Sequence, residues 1–346
     1  MPLSDFLGNA QVLATLQRQL AEDRLPHALL FCGLKGVGKA TLARFLAKAV
    51  NCPHSKVDFC GKCTSCLRID ARFHPDVQVY EPDGQFIKIE QIRELSREAF
   101  FKPFEGRKRL FLIEQAERMK VEAANAILKT LEEPPESSHL ILISDKPNDL
   151  LPTIRSRCQL YSFRPLETNV LDDILSRHLA DLAEPDRKLL CRVAQGSVGV
   201  ALSIDLRELK SWREEMLELL DACSQGFFCS RISPLTASLA KDKRNFERKS
   251  EVLFQLLQDL FRLSVEGETP QLIHADLRGR LSQLSARLPL NRILDAVKVL
   301  DHIELGAKRN INRALALDYL AIQLGGGLSG QGRSAAQRLG GRSLFP

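Results

Sequence analysis

The residues best suited to chemistry begin at 33–40, where GLKGVGKA matches the phosphate-binding pattern GxxxxGK followed by Ser or Thr, except at its last position. Glycines in such a loop let backbone N–H groups converge on phosphate oxygens, and the lysine reaches the outer phosphates. The alternative is a glycine-rich turn that binds no ligand. An apolar run before the loop at 28–32 and a helical pattern after it at 41–50 argue against that alternative, because together they give the strand–loop–helix order of a phosphate site. The nucleotide-binding residues predicted from this pattern are Gly33, Gly36, Gly38, Lys39 and Thr41.

The residues that ATP hydrolysis would need are replaced around this loop. Position 40 is alanine, where a hydroxyl normally helps to hold Mg²⁺. Thr41 cannot substitute, because successive helix positions point about 100° apart. The next apolar run ends in Glu114-Gln115 instead of Asp-Glu, and the amide of Gln115 is a poor proton acceptor. These departures predict a site that does not hydrolyse ATP, and they leave open whether ATP or ADP still binds.

Four cysteines lie within fifteen residues, at Cys52, Cys60, Cys63 and Cys66. Two CxxC steps that share Cys63 direct thiolates toward one point, and Cys52 can complete a tetrahedron from the end of the preceding helix. A closed set of four ligands leaves no position for a reacting water, so we predict a structural Zn²⁺. Disulfides are disfavoured in a cytosolic protein, a redox CxxC would not need four thiols, and His54 is a weaker ligand than any of the cysteines.

The composition is typical of a globular protein with a mild positive charge. The 346 residues are 44% hydrophobic with a net charge of +6, and the Lys and Arg residues are spread along the chain. No apolar run approaches the ~18 residues of a membrane span, and no secretory pattern opens the sequence, so we expect a cytoplasmic protein without membrane contact. A nucleic-acid-binding module is a further alternative, but the cysteine insertion has no aromatic residue beyond Phe59 on which bases could stack.

Alternating apolar and amphipathic segments must position these residues. Apolar runs at 28–32, 77–81, 110–113, 140–144 and 159–163 predict strands buried on both faces, and the helical intervals between them predict a parallel sheet. After Pro165 the strand signal stops and helical periodicity continues. The predicted domains are an α/β domain over 1–166 with a zinc insertion at about 52–66, a helical unit over 167–208, an all-α domain over 209–324, and a disordered basic tail over 325–346.

Further motifs, in a fixed order, indicate a family. RLPHA at 24–28, the phosphate loop, the cysteine insertion, NAILKTLEEPP at 125–135 and IRSRC at 154–158 follow one another. With these motifs the chain resembles the AAA+ clamp-loader subunits of bacterial DNA polymerase III, strongly over about 1–205 and weakly over 308–317. The resemblance implies an α/β AAA+ P-loop domain with a parallel sheet, a small helical lid domain and an all-α collar domain that joins subunits.

Two branches of this family share these motifs, the motor subunits (gamma/tau) and the delta-prime subunits. A motor would be expected to keep the Mg²⁺ hydroxyl, the Asp-Glu pair and an arginine in the lid motif GSxRDA. This chain has Ala40, Glu114-Gln115 and Gly199 at those positions, so it resembles the delta-prime branch. The alternative is a motor subunit that hydrolyses ATP itself.

The resemblance implies a role for Arg157, the arginine of the SRC run. In this family that arginine points across the subunit interface at the ATP of a neighbouring motor subunit, where it acts as an arginine finger in trans. The alternatives are an ion-paired surface arginine for Arg157 and a structural role for Arg155. We interpret Glu132 and Glu133 as the end of a helix, with Lys129 as their ion-pair partner, and not as catalytic carboxylates.

The implied partners are those of a clamp loader. The resemblance implies a pentameric ring with motor (gamma/tau) and delta subunits, and contact with the sliding clamp and primer–template DNA through that complex. The chain would then be a component of the DNA polymerase III holoenzyme, at the replisome in the cytoplasm, without an ATPase activity of its own.

Overall fold

The computed structural model describes residues 3, 6–55, 57–225, 232–242, 245–265, 271–307 and 312–325. The chain forms two compact units. The first contains Met1–Arg187 and Ala194–Ser203, and the second contains Lys188–Val193 and Ile204–Pro346. The first unit contains the phosphate loop, the four cysteines and Arg157.

A five-stranded parallel sheet is the centre of the first unit, as predicted. Its strands are β1 (Ala28–Cys32), β2 (Val77–Tyr80), β3 (Arg109–Ile113), β4 (Ser138–Ser144) and β5 (Gln159–Ser162), in the spatial order β2-β3-β4-β1-β5. The three central strands β3, β4 and β1 are buried along their whole length. Helices on both faces explain the continuous apolar runs, because neither face of a central strand meets water.

The prediction that all five strands are buried on both faces is wrong for β5 and too strong for β2. In β5 only Tyr161 is buried, and the side chain of Leu160 is 51% exposed. Both strands lie at an edge of the sheet, where a single neighbouring strand and partial helix cover leave side chains open to water.

Helices of the first unit cover the sheet on both sides. In β1, Leu29 and Phe31 join one apolar core while Leu30 joins the other, as the alternation of side chains along a strand requires. The helices are α1 (Ala10–Ala21), α2 (Lys39–Asn51), α3 (Thr64–Asp70), α4 (Ile89–Ala99), α5 (Val121–Glu132), α6 (Pro152–Arg155), α7 (Thr168–His178) and α9 (Val198–Ser203), and α8 (Glu184–Val193) begins in this unit and ends in the second.

The described residues of the second unit form helices joined by short connections, without a strand, which agrees with the predicted all-α region. Its helices are α10 (Leu206–Ser224), α11 (Ser233–Lys241), α12 (Phe246–Val265), α13 (Arg278–Arg287), α14 (Leu290–Ala307) and α15 (Arg313–Gly325). Buried leucines such as Leu217, Leu256, Leu300 and Leu320 form its core. No helix of the described residues has both the length and the apolar character that a membrane span requires.

The finer domain limits stay predictions. The limits at 166 and 208 separate a lid from its neighbours, and the two compact units do not test that separation. Beyond Gly325 the predicted basic tail lies outside the described residues.

Candidate functional site

The phosphate loop joins the end of β1 to α2, in the strand–loop–helix order that the motif requires. Gly36 and Gly38 have φ angles of +77° and +95°, a backbone region that favours glycine. A Cβ atom on Gly33 would lie 2.4 Å from the carbonyl oxygen of Phe163. The three predicted glycines are therefore needed by the turn itself, with or without a ligand.

Lys39 is the first residue of α2, and its ammonium group is bound within the chain. Its Nζ donates to the carbonyl oxygens of Gly33 at 2.6 Å and Leu34 at 2.7 Å, and to Oδ1 of Asp145 at 2.7 Å. The Lys39 side chain is only 4% exposed. All three N–H donors of the ammonium are used, and Asp145 supplies the negative charge that a phosphate would bring.

The first turn of α9, with Ser197 just before it, packs directly on the phosphate loop. The N–H of Gly199 donates to the carbonyl oxygen of Gly36 at 2.9 Å, and Oγ of Ser197 donates to the carbonyl oxygen of Lys35 at 2.7 Å. A Cβ atom on Gly199 would lie 2.9 Å from Cα of Gly36. The arginine expected of a motor subunit at position 199 has no room here, because even a methyl group is too close to the loop.

A second contact covers the start of α2. A Cβ atom on Gly38 would lie 3.0 Å from Cζ of Phe6, so the ring of Phe6 lies against this glycine. Ala40 packs against the apolar core, where a hydroxyl would normally face a metal ion. Thr41 follows on α2 with a half-buried side chain. The loop is therefore enclosed by the chain on the side of Gly36 and on the side of Gly38.

The end of β3 offers one carboxylate, at Glu114. Burial raises the pKa of this carboxyl, and Glu81 adds to the increase while Arg72, with Nη2 3.7 Å from Oε1, opposes it. Gln115 leaves the strand with a φ of +54° and starts a 3₁₀ turn at Ala116–Arg118. Gln115 thus carries an amide at the position where an active ATPase would have the glutamate of its Asp-Glu pair.

The four cysteines Cys52, Cys60, Cys63 and Cys66 are brought together, with their sulfur atoms all within 4.8 Å of one another. Tetrahedral zinc with Zn–S bonds of about 2.3 Å places its sulfurs ~3.8 Å apart, so this set fits the ion. Cys52 directly follows α2 and Cys66 lies on α3, and both are fully buried. His54 is exposed and is not part of this group.

Backbone N–H groups point at the sulfur atoms of this cluster. Those of Lys62 and Cys63 lie 3.4 Å and 3.3 Å from Sγ of Cys60, and the N–H of Cys60 lies 3.4 Å from Sγ of Cys52. The N–H groups of Lys62 and Cys63, which point at Sγ of Cys60, lower the pKa of the Cys60 thiol to about 6. Such donors stabilise thiolates, which is the form that binds a metal ion.

Arg157 lies between α6 and β5 and is held at two points. Its Nη1 donates to the carbonyl oxygen of Thr153 at 3.0 Å, and its Nη2 lies 2.6 Å from Oε1 of Glu132. The guanidinium side chain is 35% exposed, and that of Glu132 is 50% exposed. Glu132 therefore pairs with Arg157, and the prediction that Lys129 is its ion-pair partner is wrong because α5 ends beside the turn after α6.

Two of these contacts involve residues for which the sequence predicts no such role, Asp145 and Glu132. Asp145 follows β4, and its only sequence signal is its position at the carboxyl end of a strand next to β1. Glu132 is the last residue of α5, as predicted, and its contact with Arg157 depends on how α5 and α6 pack. The ring of His27 lies just before β1, with Nε2 3.2 Å from the carbonyl oxygen of Leu131.

Comparison with known proteins identifies relatives of this chain. A family described as "DNA polymerase III, delta subunit" matches residues 8–167. The DNA polymerase III subunit delta' of Bacillus subtilis is 30% identical over 319 residues, which cover 91% of this chain and 95% of that protein. The DNA polymerase III subunit tau of Escherichia coli is 37% identical over 210 residues, which cover 58% of this chain and 32% of that longer protein.

Among solved structures, a DNA polymerase III gamma subunit-related protein from Thermotoga maritima matches with a TM-score of 0.44 and 19% identity, over 90% of this chain and 98% of that one. The delta' relative from Bacillus subtilis aligns along nearly the whole of both chains. The chain belongs to the delta' family of DNA polymerase III clamp-loader subunits.

Proposed function

We propose that this chain joins motor (gamma/tau) and delta subunits in a pentameric clamp loader and supplies Arg157 to an ATP molecule bound by a neighbouring motor subunit. The loader would place a sliding clamp on primer–template DNA, and this chain would contact clamp and DNA through that complex. One observation carries the proposal: the chain's own phosphate loop is bound by its own residues, while Arg157 stays partly exposed.

The first part of the proposal is that the chain does not hydrolyse ATP. Lys39 is paired with Asp145, and Gly199 at the start of α9 lies against Gly36. An incoming triphosphate would have to displace both contacts before it met the loop. Ala40 would then offer no hydroxyl to Mg²⁺, and Gln115 no carboxylate to the attacking water. Binding of ADP or ATP would therefore be weak, and chemistry would be absent.

The second part is that Arg157 acts in trans. A guanidinium stabilises the negative charge that develops on a phosphoryl group during transfer to water. Thr153 and Glu132 fix two edges of this guanidinium, so that its remaining N–H donors point in a defined direction. A fixed fork loses less freedom on meeting a phosphate than a freely rotating side chain does.

The third part is a structural Zn²⁺ held by Cys52, Cys60, Cys63 and Cys66. Arg107 supports this module from outside, because its Nη2 donates to the carbonyl oxygens of Cys52 and Ser55. Four thiolates leave no open ligand position, so the ion would stabilise the connection between α2 and α3 and take no part in catalysis.

Reconstitution tests the proposal directly. The chain should co-purify with motor and delta subunits, and DNA-stimulated ATP hydrolysis by the assembly should depend on its presence. The isolated chain should release no phosphate from ATP. Phosphate release by the isolated chain at a rate typical of a motor subunit would favour the alternative, an active gamma/tau-like subunit.

A further inference from the structure

The guanidinium of Arg157 makes contacts of two kinds. Its Nη1 donates to neutral acceptors, the carbonyl oxygen of Thr153 at 3.0 Å and Oγ of Ser156 at 3.4 Å. Its Nη2 lies 2.6 Å from the carboxylate of Glu132. A neutral acceptor orients the guanidinium and leaves its positive charge intact, whereas a carboxylate orients it and also compensates that charge. Glu132 therefore affects Arg157 in a way that the two neutral acceptors do not.

The position of Glu132 on α5 gives its charge no other purpose. Glu132 is the last residue of α5, and α5 packs against α6, which ends two residues before Arg157. A carboxylate at the C-terminal end of a helix lies at the negative end of the helix dipole, which is the less favourable end for it. The contact with Arg157 therefore accounts for a negative charge that the helix itself does not need.

The pair between Arg157 and Glu132 is weak enough to be exchanged. The two side chains are 35% and 50% exposed, so water solvates both charges. An ion pair in such surroundings is favoured by no more than about fivefold over its separated partners. The γ-phosphate of ATP carries more negative charge than a carboxylate does, and a displaced Glu132 side chain returns to water. A triphosphate that reaches Arg157 can therefore take the place of Glu132.

The pair also lowers the attraction of Arg157 for a phosphate. The field of a paired cation and anion falls off more steeply with distance than the field of a single cation. An arginine grips two oxygens of one anion through Nη1 with Nη2, or through Nε with Nη2. Both grips use Nη2, which is the nitrogen that Glu132 contacts. Glu132 thus competes with a phosphate for the charge of Arg157 and for one of its donor groups.

We propose that Glu132 is a positioning residue that competes with the ATP of the neighbouring motor subunit for Arg157, and that it thereby raises the ATP concentration at which the loader turns over. This inference rests on the proposed trans role of Arg157 and adds the regulation of that site. In the free chain, Glu132 keeps the guanidinium oriented and its charge compensated. In the loader, the γ-phosphate displaces the carboxylate from Nη2 while Thr153 still holds Nη1.

The test is an ATP titration of phosphate release by the reconstituted loader on primed DNA, with Glu132→Gln and with the wild type. Glutamine keeps an oxygen that can accept from Nη2 but removes the charge. The KM for ATP should fall by about two- to fivefold, the range expected for a half-exposed ion pair, while kcat stays at the wild-type value. Glu132→Gln should have no effect when it is combined with Arg157→Ala, because the competition needs the guanidinium.

The matched control is Glu133→Gln, which removes the same charge from the next residue, also exposed, at the same helix end. It should keep the wild-type KM, and both glutamine variants should keep the wild-type thermal midpoint.

A second measurement uses the free full-length chain in its metal-bound form, without any partner. Inorganic tripolyphosphate is the probe, and the NMR signal of the Arg157 Nε–H group reports its binding. Glu132→Gln should bind tripolyphosphate about two- to fivefold more tightly than the wild type, because no carboxylate competes for the guanidinium. Glu133→Gln should bind it like the wild type.

Four results would overturn the inference. A lower kcat with an unchanged KM in Glu132→Gln would mean that Glu132 only orients Arg157. Wild-type kinetics in Glu132→Gln, together with slow hydrolysis in Arg157→Ala, would remove the competition and leave the proposed function standing. Equal affinity of Glu132→Gln and the wild type for tripolyphosphate would also remove the competition. Wild-type hydrolysis in Arg157→Ala would remove the proposed function itself, and this inference with it.

Discussion

The ammonium of Lys39 lies 2.7 Å from the carboxylate of Asp145, 106 residues further along the chain. The register of the sheet explains this contact. Cys32, the last residue of β1, pairs with Ser144, the last residue of β4, so Asp145 emerges beside the start of the phosphate loop. The chain thereby provides its own anion at the position where the motif would hold a phosphate.

Asp145→Asn should therefore both destabilise the chain and open the loop to ligand. The Lys39 side chain is 4% exposed and that of Asp145 is 29% exposed. Removal of one partner of a fully buried pair costs about 3–5 kcal/mol, and partial exposure reduces the expected loss here to about 1–2 kcal/mol. Urea denaturation measures this loss, and ADP should raise the thermal midpoint of the variant more than that of the wild type.

The control for this substitution is Asp149→Asn, which removes an exposed carboxylate from the same connection. It should leave both stability and the response to ADP unchanged. Equal stability of Asp145→Asn and the wild type would show that Lys39 does not depend on this carboxylate.

Arg157→Ala should leave the fold intact but slow ATP hydrolysis in the reconstituted loader. The pair between Arg157 and Glu132 is half-exposed, so its loss should change stability by no more than about 1 kcal/mol. An arginine finger contributes about 10³-fold or more to turnover at the site it reaches. DNA-stimulated phosphate release should fall accordingly at the interface that this chain forms, and Arg157→Lys should not restore it, because lysine lacks the planar fork.

Arg155→Ala is the matched control for this experiment. Arg155 lies two residues earlier, and its Nη1 contacts the side chain of Asn148 at 3.3 Å. We expect its variant to hydrolyse ATP at the wild-type rate within the loader. Wild-type rates for Arg157→Ala as well would remove the proposed role.

The sequence predicted the elements well because their signals are local. The five apolar runs became five parallel strands, and the spacing of Cys52, Cys60, Cys63 and Cys66 was enough to bring their sulfurs together. The prediction failed for the burial of β5, which is mostly exposed. Its exposure follows from its position at an edge of the sheet, and a short apolar run does not encode the order of the strands.

Contacts between distant segments were not predictable in the same way. The approach of Gly199 to Gly36 depends on how α9 packs on the phosphate loop, so the sequence indicated only a missing arginine and not the reason for it. The exposure of Phe73 and Phe104 is the opposite of what an apolar residue suggests by itself. Asp76 accepts a hydrogen bond from the N–H of Phe104 at 2.7 Å, a contact between distant segments that fixes the loop carrying this ring.

One zinc ion per chain should be found by elemental analysis, and its removal should destabilise the first unit. Cys66 is fully buried in an apolar core, whereas Cys60 is partly exposed. Cys66→Ser should therefore cost more stability than Cys60→Ser, although both should abolish stoichiometric zinc. Isolated zinc modules gain about 10–16 kcal/mol from the ion, and a module supported by a larger core should gain less.

Cys158→Ser is the control for the zinc prediction, since this cysteine lies in the first unit outside the cluster. It should retain one zinc ion per chain. Treatment with a chelator should lower the thermal midpoint of this control and of the wild type alike, and should leave the two cluster variants unaffected. Full zinc content in Cys60→Ser would contradict the four-thiolate site.

The stability of the second unit should fall as the pH drops below 6.5, because of His274. This side chain is fully buried, and neither ring nitrogen has a hydrogen-bond partner among the described residues. Burial lowers the pKa of His274 to about 3. The positive charges of Arg213 and Arg192 add to this decrease, and the negative charge of Asp276 opposes it. The unfolded chain, with a histidine pKa of about 6.5, binds a proton that the folded chain excludes, so acid favours unfolding by about 2 kcal/mol at pH 5 relative to pH 7.

His274→Leu should remove this dependence, since leucine cannot take up a proton in either state. At pH 7 the variant should be as stable as the wild type or slightly more stable, because an unpartnered buried polar group is replaced by an apolar one. Urea denaturation at pH 5, 6 and 7 measures both effects, with His302→Gln as the control at an exposed histidine of α14. The opposite result is a variant that loses as much stability between pH 7 and pH 5 as the wild type does. That result would mean that other groups, and not His274, take up the proton on unfolding.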